Sequence, residues 1–329
     1  MRTGGTRHNI RLTAFLTAGA LLLVYLLEAY IDILPDRVEW QNSVVAQLPT
    51  MLSVEMCWAA SILLSLLAGI LICINNTRHF STKTGVDMLL WFWMIQIFAF
   101  PFLHTLTEAH FATVFVLLSH ISLFAIDHKS SRNYEKIFLS SMYLGIATLF
   151  YTHLAIMLVP NIIAAFRLKR SEYRNCLISL TGFLTPFYFA SLICFFRTDN
   201  WLYPFETVYH SLIPQIPLNA VDFTKIQIVF GILILALTLI KRLTVQPHSG
   251  GVSQKTIVHS QIFTLMQIFA LFILFACAPG SKLILPVIFI YTASSLQILF
   301  AGIKKRFVAT LLVISVAAMS IVHCLLVIN

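Results

Sequence analysis

Long apolar runs separated by short charged clusters repeat along the whole chain. They predict membrane segments near 12–29, 52–75, 88–104, 110–127, 176–196, 225–240, 260–277, 283–301 and 307–327. A helix needs about 20 such residues to cross an apolar bilayer core of roughly 30 Å. Segment 137–166 does not fit the series. Lys129, Arg132 and Lys136 precede it, and Arg167, Lys169, Arg170 and Arg174 follow it. A single helix there would strand one basic cluster outside, against the preference of Lys and Arg for the cytoplasmic side. Two short helices, 137–150 and 153–166, meeting near Tyr151-Thr152-His153, keep both clusters inside, although each arm spans only about 21 Å. The pattern therefore predicts an all-α polytopic membrane bundle of about 11 crossings. Its N-terminus is cytoplasmic and its C-terminus outside, and residues 1–329 form a single integral membrane domain.

Composition agrees with that pattern. The chain is 59% hydrophobic and 11% charged, where soluble domains carry about 25% charged residues. This excludes a secreted enzyme, a soluble regulator and a disordered chain. The formal net charge is +9, but the basic residues follow topology and no nucleic-acid partner is expected. Of the 22 Lys and Arg residues, 18 fall in segments placed inside, leaving Arg37, Arg197, Lys225 and Lys282 outside. The six cysteines lie in or beside apolar segments without a C-x-x-C pair, so they predict buried thiols and no disulfide framework. Arg2, Arg7 and Arg11 before the first apolar run resemble a signal sequence, but the run is long and without a clear cleavage site, which predicts an uncleaved first helix.

Acidic residues show the opposite bias. Nine of the 13 lie outside or near outer helix ends: Glu28, Asp32, Asp36, Glu39, Glu55, Glu108, Asp199, Glu206 and Asp222. The rule for basic residues does not require this. In the first outer loop, about 30–51, Glu28, Asp32, Asp36 and Glu39 follow helical spacing, and Trp40, Val44 and Leu48 repeat as in an interfacial helix. Such a stripe is a solvated face, a metal site or a source of a general base. The loop near 197–223 carries Trp201, Tyr203 and Phe205 as expected interfacial anchors, and a Glu206/His210 pair four residues apart. A third feature, His104-Thr105-Leu106-Thr107-Glu108-Ala109-His110, places Glu108 where a helix dipole favours a carboxylate. Its spacing is not an established metal pattern, and no metal or cofactor is expected. Glu55, His120 and His323 are the main ionisable candidates inside the membrane, Glu55 early in its helix near the outer surface, with Gln96, Gln267 and Gln297 as polar neighbours. There is no Walker loop, G-x-G-x-x-G, H-E-x-x-H or G-x-S-x-G.

From Glu108 to about Phe196 the order is helix, Lys129-Ser130-Ser131-Arg132, then Leu144-Gly145-Ile146-Ala147-Thr148-Leu149-Phe150-Tyr151-Thr152-His153. An apolar return, Arg167-Leu168-Lys169-Arg170, and a Gly182-Phe183-Leu184-Thr185-Pro186 helix complete it. This order resembles the core of the C superfamily of multi-pass glycosyltransferases that use polyprenyl-phosphate sugars. The resemblance covers roughly the first 200 residues. It implies a catalytic carboxylate in the first outer loop, where Asp32, Asp36 and Glu39 stand, and an acidic residue in the second, where Glu108 stands. The length, the charged loop before the hairpin and the Arg174-Asn175 step also resemble a family of Bacteroidetes multi-pass inner-membrane proteins, which implies a location and no chemistry.

Three readings follow. In the first, Asp36 or Asp32 is the catalytic base, with Glu108 and His153 in support. Arg37, Arg197 and Lys225 hold the phosphate of a polyprenyl-phosphate-linked sugar among the membrane lipids. In the second, the protein is a non-catalytic inner-membrane component of an envelope assembly or export system, with protein partners. The third, a flippase or transporter, calls for inverted repeats that the sequence does not display.

Overall fold

The computed structural model describes Trp40 and residues 43–45, 52–79, 86–98, 103–126, 133–168, 173–212, 254–276 and 284–302. Among the described residues the chain is all-α, with no strand. The helices are α1 (Val54–His79), α2 (Val86–Phe98), α3 (Glu108–Phe124), α4 (Asn133–Phe150), α5 (Leu158–Leu168), α6 (Tyr173–Thr198), α7 (Tyr203–Leu212), α8 (Gln254–Ala276) and α9 (Leu285–Gly302). A 3₁₀ turn, Thr152–Met157, joins α4 to α5.

Among the described residues three helices are long and apolar enough to cross a membrane: Val54–Thr77, Tyr173–Arg197 and Ile257–Leu274. Glu108–Phe124, Thr152–Leu168 and Leu285–Ser295 are shorter apolar helices. The described residues thus hold far fewer full-length spans than the 11 crossings expected. The expected segments 12–29, 225–240 and 307–327 lie outside them. Of expected segment 88–104, the described residues hold α2, 13 residues long, or about 20 Å, and 99–102 lie outside them.

The hairpin breaks where the charge pattern places the break. α4 ends at Phe150, Tyr151 is extended, and the 3₁₀ turn begins at Thr152. Its first arm is longer than expected, because α4 starts at Asn133 and has 18 residues, about 27 Å, while the α-helix of the second arm, α5, has 11. The extra turn is polar and so invisible to an apolar count. Lys136 within it donates to the Ala125 carbonyl, and a cation there suits the C-terminal end of α3.

Helix α4 sits between α3 and α6. It meets α6 backbone to backbone: a Cβ on Gly182 would stand 2.5 Å from the Phe138 carbonyl oxygen, and one on Gly145 would collide with the Phe183 carbonyl. Small residues at such crossings let helices approach in apolar surroundings. On the α3 side, Ser119 Oγ lies 3.1 Å from Ser140 Oγ, Ser140 donates to Asn161 Oδ1 at 3.1 Å, and Asn161 Nδ2 donates to Ser141 at 2.9 Å. Asn161 on α5 thereby closes the hairpin onto α4. Replacing Asn161 with alanine removes two interhelical bonds and is expected to cost about 1–2 kcal/mol. Ser119→Ala, which leaves the Asn161 bonds intact, should cost well under half as much. Urea unfolding in mild detergent reads both.

Adjacent residues of α9 bind different neighbours. Tyr291 Oη lies 3.2 Å from His120 Nε2 of α3, while Thr292 donates to Gln96 Oε1 of α2 at 2.9 Å. Away from these contacts, α6 leaves Leu184, Tyr188, Leu192 and Phe196 exposed. An apolar face of that kind suits lipid.

Candidate functional site

One end of the bundle gathers three segments far apart in sequence. The Trp40 indole donates to the Leu106 carbonyl at 3.2 Å. Its ring stands edge-on to Phe111 and Phe150, with centroids 6.0 and 6.4 Å away. Phe111 and Phe150 stack at 4.9 Å, which sets the first turn of α3 beside the last turn of α4. Three residues after Trp40, Ser43 Oγ and Val44 N both donate to the Leu149 carbonyl, at 3.2 and 2.9 Å. Trp40 is buried and Val44–Val45 form a turn. The interfacial helix expected from Trp40 and Val44 is therefore corrected: the ring has aromatic partners inside the protein, so it has no reason to seek the membrane surface.

The start of α3 carries a polar group of side chains within the protein. His104, Thr105, Thr107, Glu108 and His110 are all buried, and Ser61 of α1 donates to the His104 carbonyl at 2.9 Å. Thr107 is the N-cap. His110, at the third helical position, accepts the Thr107 backbone N–H at 3.2 Å through Nδ1. This is the role a Glu or Gln plays in the usual capping box. The Thr107 hydroxyl also lies 2.9 Å from Nδ1. Since Nδ1 accepts, the neutral ring carries its proton on Nε2, a tautomer assigned from the bonding network. Glu108 is thus not the side chain that caps α3. Its carboxyl is buried in the first turn, where the helix dipole favours negative charge.

Beyond α4, the tip of the hairpin is equally enclosed. Tyr151, Thr152 and His153 are all buried, and the Tyr151 and His153 rings stand 5.1 Å apart. Helix α7 packs over this turn. Pro204 in its first turn costs no helical hydrogen bond, and Phe205 lies 5.5 Å from Phe187 of α6. The His153 ring lies beside the Ser211 backbone carbonyl. Trp201, just before α7, and Tyr203, Phe205 and Tyr209 within it are exposed. Glu206 accepts from Asn200 Nδ2 at 3.3 Å, while the His210 ring lies against Tyr209, so the expected Glu206/His210 pairing gives way to these contacts.

Of the residues singled out by sequence, Glu108 and His153 therefore lie at the same end of the bundle. Arg197 is exposed in the last turn of α6, just before the chain enters α7. Asp32, Asp36, Arg37, Glu39 and Lys225 lie outside the described residues. Among the described residues no three His, Cys, Asp or Glu side chains converge as metal ligands, and Cys57, Cys73, Cys176 and Cys194 are in no disulfide. Sequence reasoning missed Trp40 as a pin, His110 as a cap, and Thr152 and Ser211 at the tip. Only the position of His110, three residues after a threonine at a helix start, offered a signal. No family model matches the chain, and no curated protein or solved structure matches it either.

Proposed function

We propose that this protein is a multi-pass inner-membrane transferase that moves a sugar from a polyprenyl-phosphate carrier to a hydroxyl acceptor at the outer face. The topology proposed with it has 11 crossings and the Glu108 end outside. The observation that carries the reading is the pinning of Trp40 against Leu106. Trp40 follows Asp36 by four residues, and Leu106 precedes Glu108 by two. Trp40, which follows the candidate carboxylates in sequence, is thereby held close to the buried Glu108 and the end of α4. Exposed apolar side chains on α6 and exposed aromatics on α7, the next helix in the chain, suit the approach of a substrate held in the lipid.

In the proposed reaction the acceptor oxygen attacks the anomeric carbon of the sugar. The bond from that carbon to the phosphate oxygen breaks, and its electron pair leaves with the polyprenyl phosphate. Asp36 or Asp32 takes the acceptor's proton, which supplies roughly 10²–10⁴-fold in rate. Glu108 and His153 orient the acceptor. Arg37, Arg197 and Lys225 hold the phosphate, Arg by its bidentate fork.

The test is to purify the protein in mild detergent and identify bound lipids by mass spectrometry, beside Asp36→Asn and Glu108→Gln. A polyprenyl phosphate and its sugar adduct are expected in the wild type. The ratio of adduct to free carrier should rise by about tenfold or more in Asp36→Asn, as loss of the base stalls transfer. Bulk phospholipid alone in all three samples would overturn the reading. A non-catalytic envelope component would then replace it, with the exposed α6 face as its contact surface.

A further inference from the structure

The hairpin tip holds two buried polar atoms that the fold does not use. Thr152 Oγ1 and His153 Nδ1 have no hydrogen-bond partner among the described residues, and their residues are 0% and 2% exposed. A buried polar atom left unpaired costs about 1–3 kcal/mol, and two on adjacent residues call for a common explanation. The Ser211 backbone carbonyl of α7 lies beside the His153 ring. With Nδ1 unpartnered, the ring proton is assigned to Nε2, toward that carbonyl, so Nδ1 presents a lone pair. A backbone carbonyl that fixes one ring nitrogen in this way sets the role of the other.

The chemistry of these two atoms selects a ligand class. A lone pair on Nδ1 needs a donor, so a phosphate or carboxylate oxygen does not satisfy it. A threonine hydroxyl both donates and accepts. A group with neighbouring hydroxyls serves both, one donating to Nδ1 and the next pairing with Oγ1. We infer that the hairpin tip beneath α7 is a subsite for a polyhydroxylated group, the acceptor's sugar or polyol, held by His153 Nδ1 and Thr152 Oγ1. The name "acceptor" rests on the transferase reading; the binding of hydroxyls does not. Helix α7 then has two roles. Its Ser211 carbonyl fixes the His153 tautomer, and its body covers the bound group. Ser211 and Thr152 are positioning and binding residues in this account, and the proton still leaves to the first-loop carboxylate.

The probe is octyl β-D-glucoside below its micellar concentration, added to the protein in phosphatidylcholine nanodiscs. Octylphosphocholine, with the same tail and no hydroxyl, is the control. At ten times its Kd the glucoside is expected to raise Tm by about 2–4 °C. In protein carrying [15N]histidine, the His153 Nδ1 resonance, assigned by its loss in His153→Gln, is expected to move upfield as it accepts a hydrogen bond. Thr152→Ser should keep both responses. Thr152→Val, close to isosteric, should remove most of the Tm shift while its helical content stays at the wild-type level, and this variant stands in should His153→Gln fold poorly. The proposal is overturned by a silent Nδ1 resonance, by an equal response to octylphosphocholine, or by a Tm shift that survives in Thr152→Val. Carrier co-purification with no glucoside response would remove the subsite and leave the transferase. A glucoside response without carrier would keep the hydroxyl site and remove the transferase.

Discussion

Gly182→Leu is expected to pry α4 from α6 and to cost about 3 kcal/mol or more. Overpacking a well-packed contact costs about 1–3 kcal/mol when neighbours can shift. Here the nearest neighbour is not a side-chain end. A Cβ on Gly182 would meet the Phe138 carbonyl oxygen at 2.5 Å, with the Phe138 carbonyl carbon and Cα both at 3.2 Å. Backbone atoms inside a helix move only if the helix moves. Gly145 reproduces the situation from the other side, against the Phe183 carbonyl and Pro186 Cγ. Pro186 deepens the local constraint, because it has no N–H to give to the Gly182 carbonyl one turn earlier. The damage should reach the candidate site, since α4 carries the hairpin tip and α6 leads into α7. Unfolding in urea and mild detergent should place Gly182→Leu and Gly145→Leu far below the wild type. A Gly182→Leu protein with an unchanged midpoint would show that the two helices are not in backbone contact.

The hairpin was legible because two separate constraints coincide on it. Basic clusters at both ends forbid a single crossing, and the length allows two arms only if the chain turns near Tyr151. The extent of its arms was not legible. Asn133-Tyr134-Glu135-Lys136 carries no apolar signal, yet Lys136 extends the helix by serving the end of α3. Long-range pairs were hidden for a related reason. Trp40 and Leu106 lie 66 residues apart, and Tyr291 and His120 lie 171 apart. An aromatic ring with a polar edge suits an interface or a core equally well until its partner is known. His110 was missed because the capping pattern looks for Glu or Gln at that position, so attention went to Glu108. His259 was missed because it lies four residues beyond Lys255, where charge pointed to a loop. It is buried in α8, with its ring centroid 4.9 Å from that of Phe124. The hydroxyl and imidazole at the tip could not be read as unpaired from sequence, because only packing shows which polar atoms the fold leaves over.

Trp40→Ala should separate stability from the proposed chemistry. The ring is buried against Phe111 and Phe150, so truncation leaves a large cavity, with a cost of about 3–5 kcal/mol. Trp40→Phe keeps most of the apolar contact and removes only the donor to Leu106, for about 1 kcal/mol. A second tie, from Ser43 and Val44 to the Leu149 carbonyl, survives both changes, so the strap is loosened and not released. Positional error of that kind is costly in catalysis: a displacement of about 1 Å from a remote change lowers rates by about 10²-fold. If the carboxylates upstream of Trp40 act on the acceptor, Trp40→Phe should bind the polyprenyl carrier as the wild type does yet transfer sugar roughly tenfold or more slowly. The adduct-to-carrier ratio in the purified protein reads this directly. An unchanged ratio in Trp40→Phe, with the expected small loss in stability, would mean that the pin serves the fold alone, and the search for the base would move from the first loop to Glu108.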